Sequence, residues 1–432
     1  MNNDKLHKPD ATSSLEMWLS YLERIHPKTI ELGLARVSEV ANRLDVLKPA
    51  PYVFTVAGTN GKGTTCRTLE MILLEAGFRV GVYSSPHLLR YTERVRINNK
   101  ELSDHAHVDA FNHIENCRQD TSLSYFEYST LSALWLFKQA NLDIVILEVG
   151  LGGRLDATNI VNADVAVVTS IALDHMDYLG NTRESIGREK AGIFKKNCIA
   201  IVGEPDMPQS IYDVAIQTQV QLHCCRPNSG YDWQYQQIDQ HFWQFKSATC
   251  HYESLPIANV PLANCATALA ALSYSSLNIS EDIICKGLRK TELTGRFQVI
   301  ANDPLVIIDV AHNPHAATYL NNQLKSLIKD KTDSYKLRIV IGMLKDKDIA
   351  STVKILQADV WYCATLYGER GTKAEDIATY IPLTDKSSIH TFSSVADAYK
   401  QAKQDADKND IIVVCGSFHT VSEILSLVAS NE

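Results

Sequence analysis

The sequence has no CxxC pair, no apolar run long enough to cross a bilayer, no excess of basic residues and no internal repeat. Each absence removes a class of protein. The ten cysteines are scattered at 66, 117, 198, 224, 225, 250, 265, 285, 363 and 415. Neither a zinc site nor a thioredoxin-like redox motif is therefore expected. His223-Cys224-Cys225 could be part of a metal site, but no second ligand pair follows, and the three read as residues near a strand end. Unpaired thiols fit the reducing cytoplasm. A membrane-spanning helix needs ~18 consecutive apolar residues. No such run occurs, and residues 1–14 are polar, without the apolar core of an export signal. A soluble cytoplasmic protein with no membrane partner is expected. The 42 Lys and Arg stand against 50 Asp and Glu, a net charge of −8. That balance excludes a general nucleic-acid binder, which needs a basic face.

What is present is an ordinary globular composition, 45% hydrophobic and 21% charged. At 432 residues the chain is too long for one core, since single cores stop growing near ~250–300 residues. Two α/β domains are expected, 1–296 and 297–432, with Leu293-Thr294-Gly295 as the joint. In the first, apolar β-rich runs begin at Tyr52, Val80, Ile144, Val165 and Ile199, with helical spacing between them. Near-continuous apolar strands separated by helices are the signature of a buried, mostly parallel sheet. Residues 227–260 differ, reading as short antiparallel strands. A second strand–helix series, from Leu305, Leu337, Val360 and Ile411, marks a smaller Rossmann-like domain.

The run from Tyr52 enters Gly58-Thr59-Asn60-Gly61-Lys62-Gly63-Thr64, and helical spacing follows until Gly77. A common phosphate loop reads G-x-x-x-x-G-K-[ST]. Here Gly61-Lys62 is present, but Val56 stands where the first glycine belongs, and Gly63 separates Lys62 from Thr64. The physics survives the departure. Small residues let backbone N–H groups meet phosphate oxygens at a helix N-terminus, and Lys62 adds a point charge. ATP binding is expected, against the plainer reading of a tight turn.

In doubly wound sheets ligands collect at the carboxyl ends of strands. Ser85, Glu148 and Asp174-His175 all fall there, and oxygen donors beside nucleotide phosphates suit Mg²⁺. Lys190, by spacing alone, reads as an ordinary helix-surface lysine.

Together these segments resemble folylpolyglutamate synthases of the Mur-ligase group. The motifs are 58–64, Ser85-Pro86-His87-Leu88-Leu89-Arg90, the run 148–159 from Glu148-Val149-Gly150 to Asn159, Asp174-His175 and Glu189-Lys190-Ala191-Gly192-Ile193-Phe194. Gly295-Arg296-Phe297, the run 309–314 and Gly416-Ser417-Phe418-His419 extend the likeness into the second domain. Among these enzymes it is nearest to the bacterial bifunctional dihydrofolate synthase/folylpolyglutamate synthases.

The resemblance implies an active site in the cleft between an ATP-binding and a glutamate-ligase domain. It implies two Mg²⁺ ions on Ser85, Glu148, His175 and a Lys190 carboxylated on its amine. Asn264, Arg296 and Asp309 join residues 58–64 in holding ATP. Lys62, His175, Lys190 and Arg296 form the catalytic set. Arg94, His312 and Ser417 take L-glutamate. The pterin or folate falls to Glu31, Leu32, Gly33, Leu34, the Ser124-Tyr125-Phe126-Glu127 loop, Asp156 and Ala157. An aromatic ring and a carboxylate are the groups a flat pterin with N–H donors requires. The substrates implied are dihydropteroate, reduced folates and L-glutamate, handled by a monomer. The alternatives are an enzyme confined to polyglutamate extension, a cell-wall amino-acid ligase, and an ATPase or kinase without ligation.

Overall fold

The computed structural model describes residues 8–28, 31–225, 232–329, 334–382 and 388–430. It divides into two compact units, Met1–Leu173 with Leu179–Glu292, and Asp174–Tyr178 with Leu293–Glu432.

The first unit is built on eight strands, β1 Tyr52–Ala57, β2 Val80–Tyr83, β3 Val95–Ile97, β4 Lys100–Glu101, β5 Ile144–Glu148, β6 Val165–Val168, β7 Ile199–Val202 and β8 Gln221–Cys224. Their order is β4-β3-β2-β5-β1-β6-β7-β8. From β2 to β8 the pairing is parallel, and β3 and β4 run antiparallel at one edge. The central strands β2, β5 and β6 are buried along their whole length, because helices cover both faces of the sheet. One face buries Val145 and Leu147 under the helices Leu15–Leu22, Ala35–Leu44, Asp104–Arg118 and Tyr125–Gln139. Further along the same face, Ala166, Val168, Ala200 and Val202 of β6 and β7 pack with the helices Arg183–Ala191 and Gln209–Thr218. Chain direction switches at β1, whose neighbours β5 and β6 lie on either side. Its carboxyl end is therefore a topological switch point, where such sheets bind ligands.

The polar stretch expected as antiparallel strands forms β9 Trp233–Gln237, β10 Phe242–Ser247 and β11 His251–Pro256, a three-stranded antiparallel sheet. Residues 227–231 of that stretch lie outside the described residues.

The second unit has six strands, β12 Gln298–Asn302, β13 Leu305–Ile308, β14 Leu337–Ile341, β15 Val360–Ala364, β16 Ser388–Phe392 and β17 Ile411–Cys415. Their order is β12-β13-β17-β14-β15-β16, parallel except for the edge strand β12. Since β17 inserts between β13 and β14, the loops after β13 and β17 open side by side.

Candidate active site

The phosphate loop leaves β1 at its switch point. Gly58 has a φ of +156°, and a Cβ there would stand 1.8 Å from Thr169 Oγ1. Gly61, at +86°, would push a Cβ to 2.3 Å from Asn264 Oδ1. Two positions of the motif thus demand glycine for space as well as torsion. The loop is pinned from β6: Thr59 N–H donates to Ser170 O at 2.8 Å, Asn60 N–H to Ser170 Oγ at 3.0 Å, and Thr169 Oγ1 to Asn60 O at 2.6 Å. The helix Lys62–Glu75 then begins on Gly61 without a side-chain cap. Orphan amides and the dipole make such an end an anion site. Lys62 Nζ lies over the loop, donating to Gly58 O at 2.9 Å and Thr59 O at 3.2 Å. Asn264 Nδ2 donates to Thr64 Oγ1 at 2.7 Å, so the two side chains expected at ATP also hold each other.

Glu148 ends β5 and is only 5% exposed; Ser85 N–H faces its Oε2 at 3.4 Å. A buried carboxylate beside a hydroxyl-bearing residue at a strand end is the hard oxygen donor set Mg²⁺ prefers. Among the described residues no three His, Cys, Asp or Glu cluster as a metal site would.

Lys190 departs from the plain reading of its sequence. It is buried, 3% exposed, in the helix Arg183–Ala191. The loop 151–159 lies on that helix. Arg154 N–H donates to Glu189 O at 2.8 Å, and Asn159 Nδ2 donates to both Arg154 O and Gly192 O at 3.0 Å. A Cβ on Gly153 would come within 2.9 Å of Glu189 O and Lys190 O. Gly153 therefore serves close backbone packing against the lysine-bearing helix, while Gly152 takes a left-handed φ of +67°. Lys195 Nζ closes the loop's far end on Asn159 O and Val161 O, at 2.6 and 2.9 Å, and burial lowers its pKa to about 8.

Among the residues expected at the pterin or folate, Glu31 and Glu127 form a pair of carboxylates joined by one arginine. Ser124-Tyr125-Phe126-Glu127, expected as a loop, is the start of the helix Tyr125–Gln139: Ser124 caps it, and Glu127 returns the bond to Ser124 N–H at 2.7 Å. This is a capping box, and its S-x-x-E spelling was available in the sequence. Arg36, which sequence reasoning missed, donates to Glu127 at 3.0 and 3.2 Å and pairs with Glu31 at 3.4 Å. His26 Nε2 meets Glu31 at 2.5 Å. Gly33 N–H donates to Leu155 O at 3.3 Å, joining the Leu32-Gly33-Leu34 stretch to the loop that carries Asp156. Phe126 packs on Gly150, where a Cβ would meet its ring at 2.5 Å. Asp156 is saturated by Gly150 N–H, Leu151 N–H, Thr158 N–H and Thr158 Oγ1, between 2.6 and 3.0 Å. Burial raises its pKa, and those four donors oppose the rise. Ala157, beside it, is buried. Arg94 sits with Tyr125, its guanidinium 5.5 Å from that ring and 5.7 Å from Tyr91, while Nε donates to His87 Nδ1 at 2.8 Å.

In the second unit Asp309 follows β13 and braces the backbone, accepting from Phe297 N–H at 2.8 Å and Ala311 N–H at 2.7 Å. Burial raises its pKa, and Arg296 opposes that. The Arg296 guanidinium stands 5.1 Å from the Phe418 ring. Ser417, after β17, caps the helix Phe418–Ala429 through Thr420 N–H. His312 Nδ1 is 2.9 Å from Val310 O, and its Nε2 is 3.7 Å from Asp174. Asp174 also takes Lys347 Nζ at 2.7 Å, and the same ammonium is 3.4 Å from His175 Nε2. Burial would raise the Asp174 pKa, but the bond from His312 and the charges of Lys347, His175 and His312 hold it far below the usual carboxylate range. Lys347 is a second residue the sequence did not flag.

Residues 56–272 match the Mur ligase middle domain, and residues 295–418 match the Mur ligase glutamate ligase domain. The molecule is thus an ATP-dependent ligase of the Mur type. Over nearly its whole length it is similar to the dihydrofolate synthase/folylpolyglutamate synthase of Escherichia coli, with 58% identity covering 97% of both chains. Its fold matches Escherichia coli FolC in complex with DHPP and ADP, at a TM-score of 0.93 and 56% identity, covering 98% of this chain and 100% of that one. It likewise matches the Yersinia pestis bifunctional folylpolyglutamate synthase/dihydrofolate synthase complexed with AMPPNP and Mn ion, at 0.91 and 57%, again covering 98% and 100%. The chain belongs to the dihydrofolate synthase/folylpolyglutamate synthase family.

Proposed function

We propose that this protein joins L-glutamate to dihydropteroate, forming dihydrofolate, and adds further glutamates to reduced folates, with release of ADP and phosphate. The observation that supports this reading is the pairing of a full-length family match with an intact site: the phosphate loop, the Ser85–Glu148 strand ends, and Lys190 buried beneath the loop 151–159.

A carboxylate does not acylate an amine in neutral water, because its leaving group would be oxide. Phosphorylation supplies a better one. The folate-type carboxylate attacks the γ-phosphorus of ATP, ADP leaves, and an acyl phosphate remains. The glutamate amine then attacks the acyl carbon, and phosphate leaves from the tetrahedral intermediate. Residues 58–64 hold the phosphates of ATP, with Asn264, Arg296 and Asp309 completing the nucleotide site. Lys62 and Arg296 offset charge on the transferring group. Ser85, Glu148, His175 and a carboxylated Lys190 would hold two Mg²⁺ ions, which neutralise phosphate charge when bound. Glu31, Leu32, Gly33, Leu34, Ser124, Tyr125, Phe126, Glu127, Asp156 and Ala157 form the pterin side, and Arg94, His312 and Ser417 hold glutamate. In this reading residues 1–296 are the ATP-binding domain and 297–432 the glutamate ligase domain, in a monomer of the cytoplasm.

The test is incubation with ATP, Mg²⁺ and L-glutamate, offering dihydropteroate and a reduced folate in separate reactions. Glutamylated product from both is expected. Product from the reduced folate alone would restrict the protein to chain extension, and none from either would overturn the assignment.

A further inference from the structure

A buried ion cluster of the first unit has no part in the mechanism above. Arg96 lies on β3, opposite Val82 of β2. Its guanidinium reaches three groups at once. Nη2 and Nε donate to the Glu70 carboxylate at 2.9 and 3.3 Å, and Nη1 donates to Ser84 Oγ and Glu93 O, each at 3.2 Å. Glu70 is fully buried on the helix Lys62–Glu75, about two turns beyond Lys62. It accepts a second cation, Arg67 Nη1, at 3.0 Å, and Arg67 Nε holds Glu292 O at 3.1 Å.

Stability alone is a poor reason for this arrangement. Desolvating a carboxylate and two guanidinium groups costs about as much as their attraction returns, and apolar packing would join β3 to the helix as well. What the cluster supplies is direction. A planar guanidinium fixes the bearings of its acceptors, which neither an ammonium nor a methyl group can do. Its acceptors are Glu70 on the phosphate-loop helix, the Glu93 carbonyl, and Ser84, the residue before Ser85. Ser85 N–H in turn faces the Glu148 carboxylate at 3.4 Å.

We infer that Arg96, held by Glu70, is a positioning residue for the metal side of the site. It sets the Ser84-Ser85 strand end against the phosphate-loop helix, so that Ser85 and Glu148 keep the spacing one hard cation requires. The inference rests on the metal-binding reading of Ser85 and Glu148.

The full-length protein is titrated by calorimetry with a non-hydrolysable ATP analogue, in EDTA and across a range of Mg²⁺ concentrations. Arg96→Lys keeps the charge and loses the fork; Ser84→Ala removes one acceptor from a small side chain. Metal-free affinity is expected to match wild type in both variants, because residues 58–64 are untouched. The Mg²⁺ concentration for half-maximal tightening is expected to rise about tenfold in Arg96→Lys, the scale of a lost outer-shell partner. Ser84→Ala should shift it the same way by less. An unchanged Mg²⁺ response overturns the inference, and so does an equal loss of affinity with and without Mg²⁺, the mark of a merely structural role. If Arg96→Lys does not fold, Ser84→Ala decides by the same criteria. A wild type indifferent to Mg²⁺ overturns the metal reading itself, and this inference with it.

Discussion

Single side chains carry obligations that depend on what surrounds them. His107 is fully buried, its ring edge-on to Tyr91 at 5.2 Å, and neither ring nitrogen has a partner among the described residues. Burial lowers its pKa from 6.5 to about 4, with Asp104 opposing. The sign follows from linkage. Above pH 6.5 both folded and unfolded chains hold it neutral, and it contributes nothing to pH dependence. As pH falls from 6.5 towards 4 the unfolded chain takes a proton the folded one refuses, so stability drops by up to about 3 kcal/mol. His107→Phe should flatten that fall. Melting temperatures of both proteins between pH 7 and 4.5 check it, and parallel curves would count against the account. Arg36 and Lys190 teach a related lesson. Arg36 meets Glu127 across 91 positions of chain, a distance no local pattern spans, and Lys190 is buried by a loop that packs on it from more than 30 positions away.

At the scale of elements, the loop 151–159 and the helix Arg183–Ala191 act as one packed piece. Gly153→Ala would drive a Cβ to 2.9 Å from two backbone oxygens and 3.0 Å from Ile193. Backbone cannot rotate aside as a side chain can, so a loss of about 1–3 kcal/mol is expected, with displacement of the loop. Turnover should fall while metal-free nucleotide affinity stays at the wild-type value, since the phosphate loop is elsewhere. Calorimetry beside a steady-state assay separates the two.

Which elements were legible follows the same physics. β1, β2, β5, β6, β7, β13, β14, β15 and β17 announced themselves as apolar runs because sheets covered on both faces need such strands. The edge strands β12 and β16 did not, since each is five residues long, mixes polar with apolar residues and has none buried. β3 and β4, three and two residues long, are too short for any periodicity. The helix at Tyr125 could have been read from its capping box, and the phosphate loop was read in spite of its altered spacing.

At the scale of the whole molecule, the roles proposed for the two units require each other: one activates a carboxylate, the other presents the amine that consumes it. Sustained phosphate release is therefore expected only when folate-type substrate and L-glutamate are both present, because an acyl phosphate shielded from water waits for its amine. Phosphate assays omitting one substrate at a time measure this. Steady release without glutamate would point to an ATPase.

The eight-stranded sheet stops at β4, where Lys100 and Glu101 lie exposed. An open strand edge is a template on which another chain can add itself, and fibrous aggregation starts from such templates. A two-residue rung bearing opposite charges offers almost no ladder to extend. The short hairpin that delivers Arg96 to the helix thus also blunts that border, guarding the nucleotide-binding half against self-association while it folds.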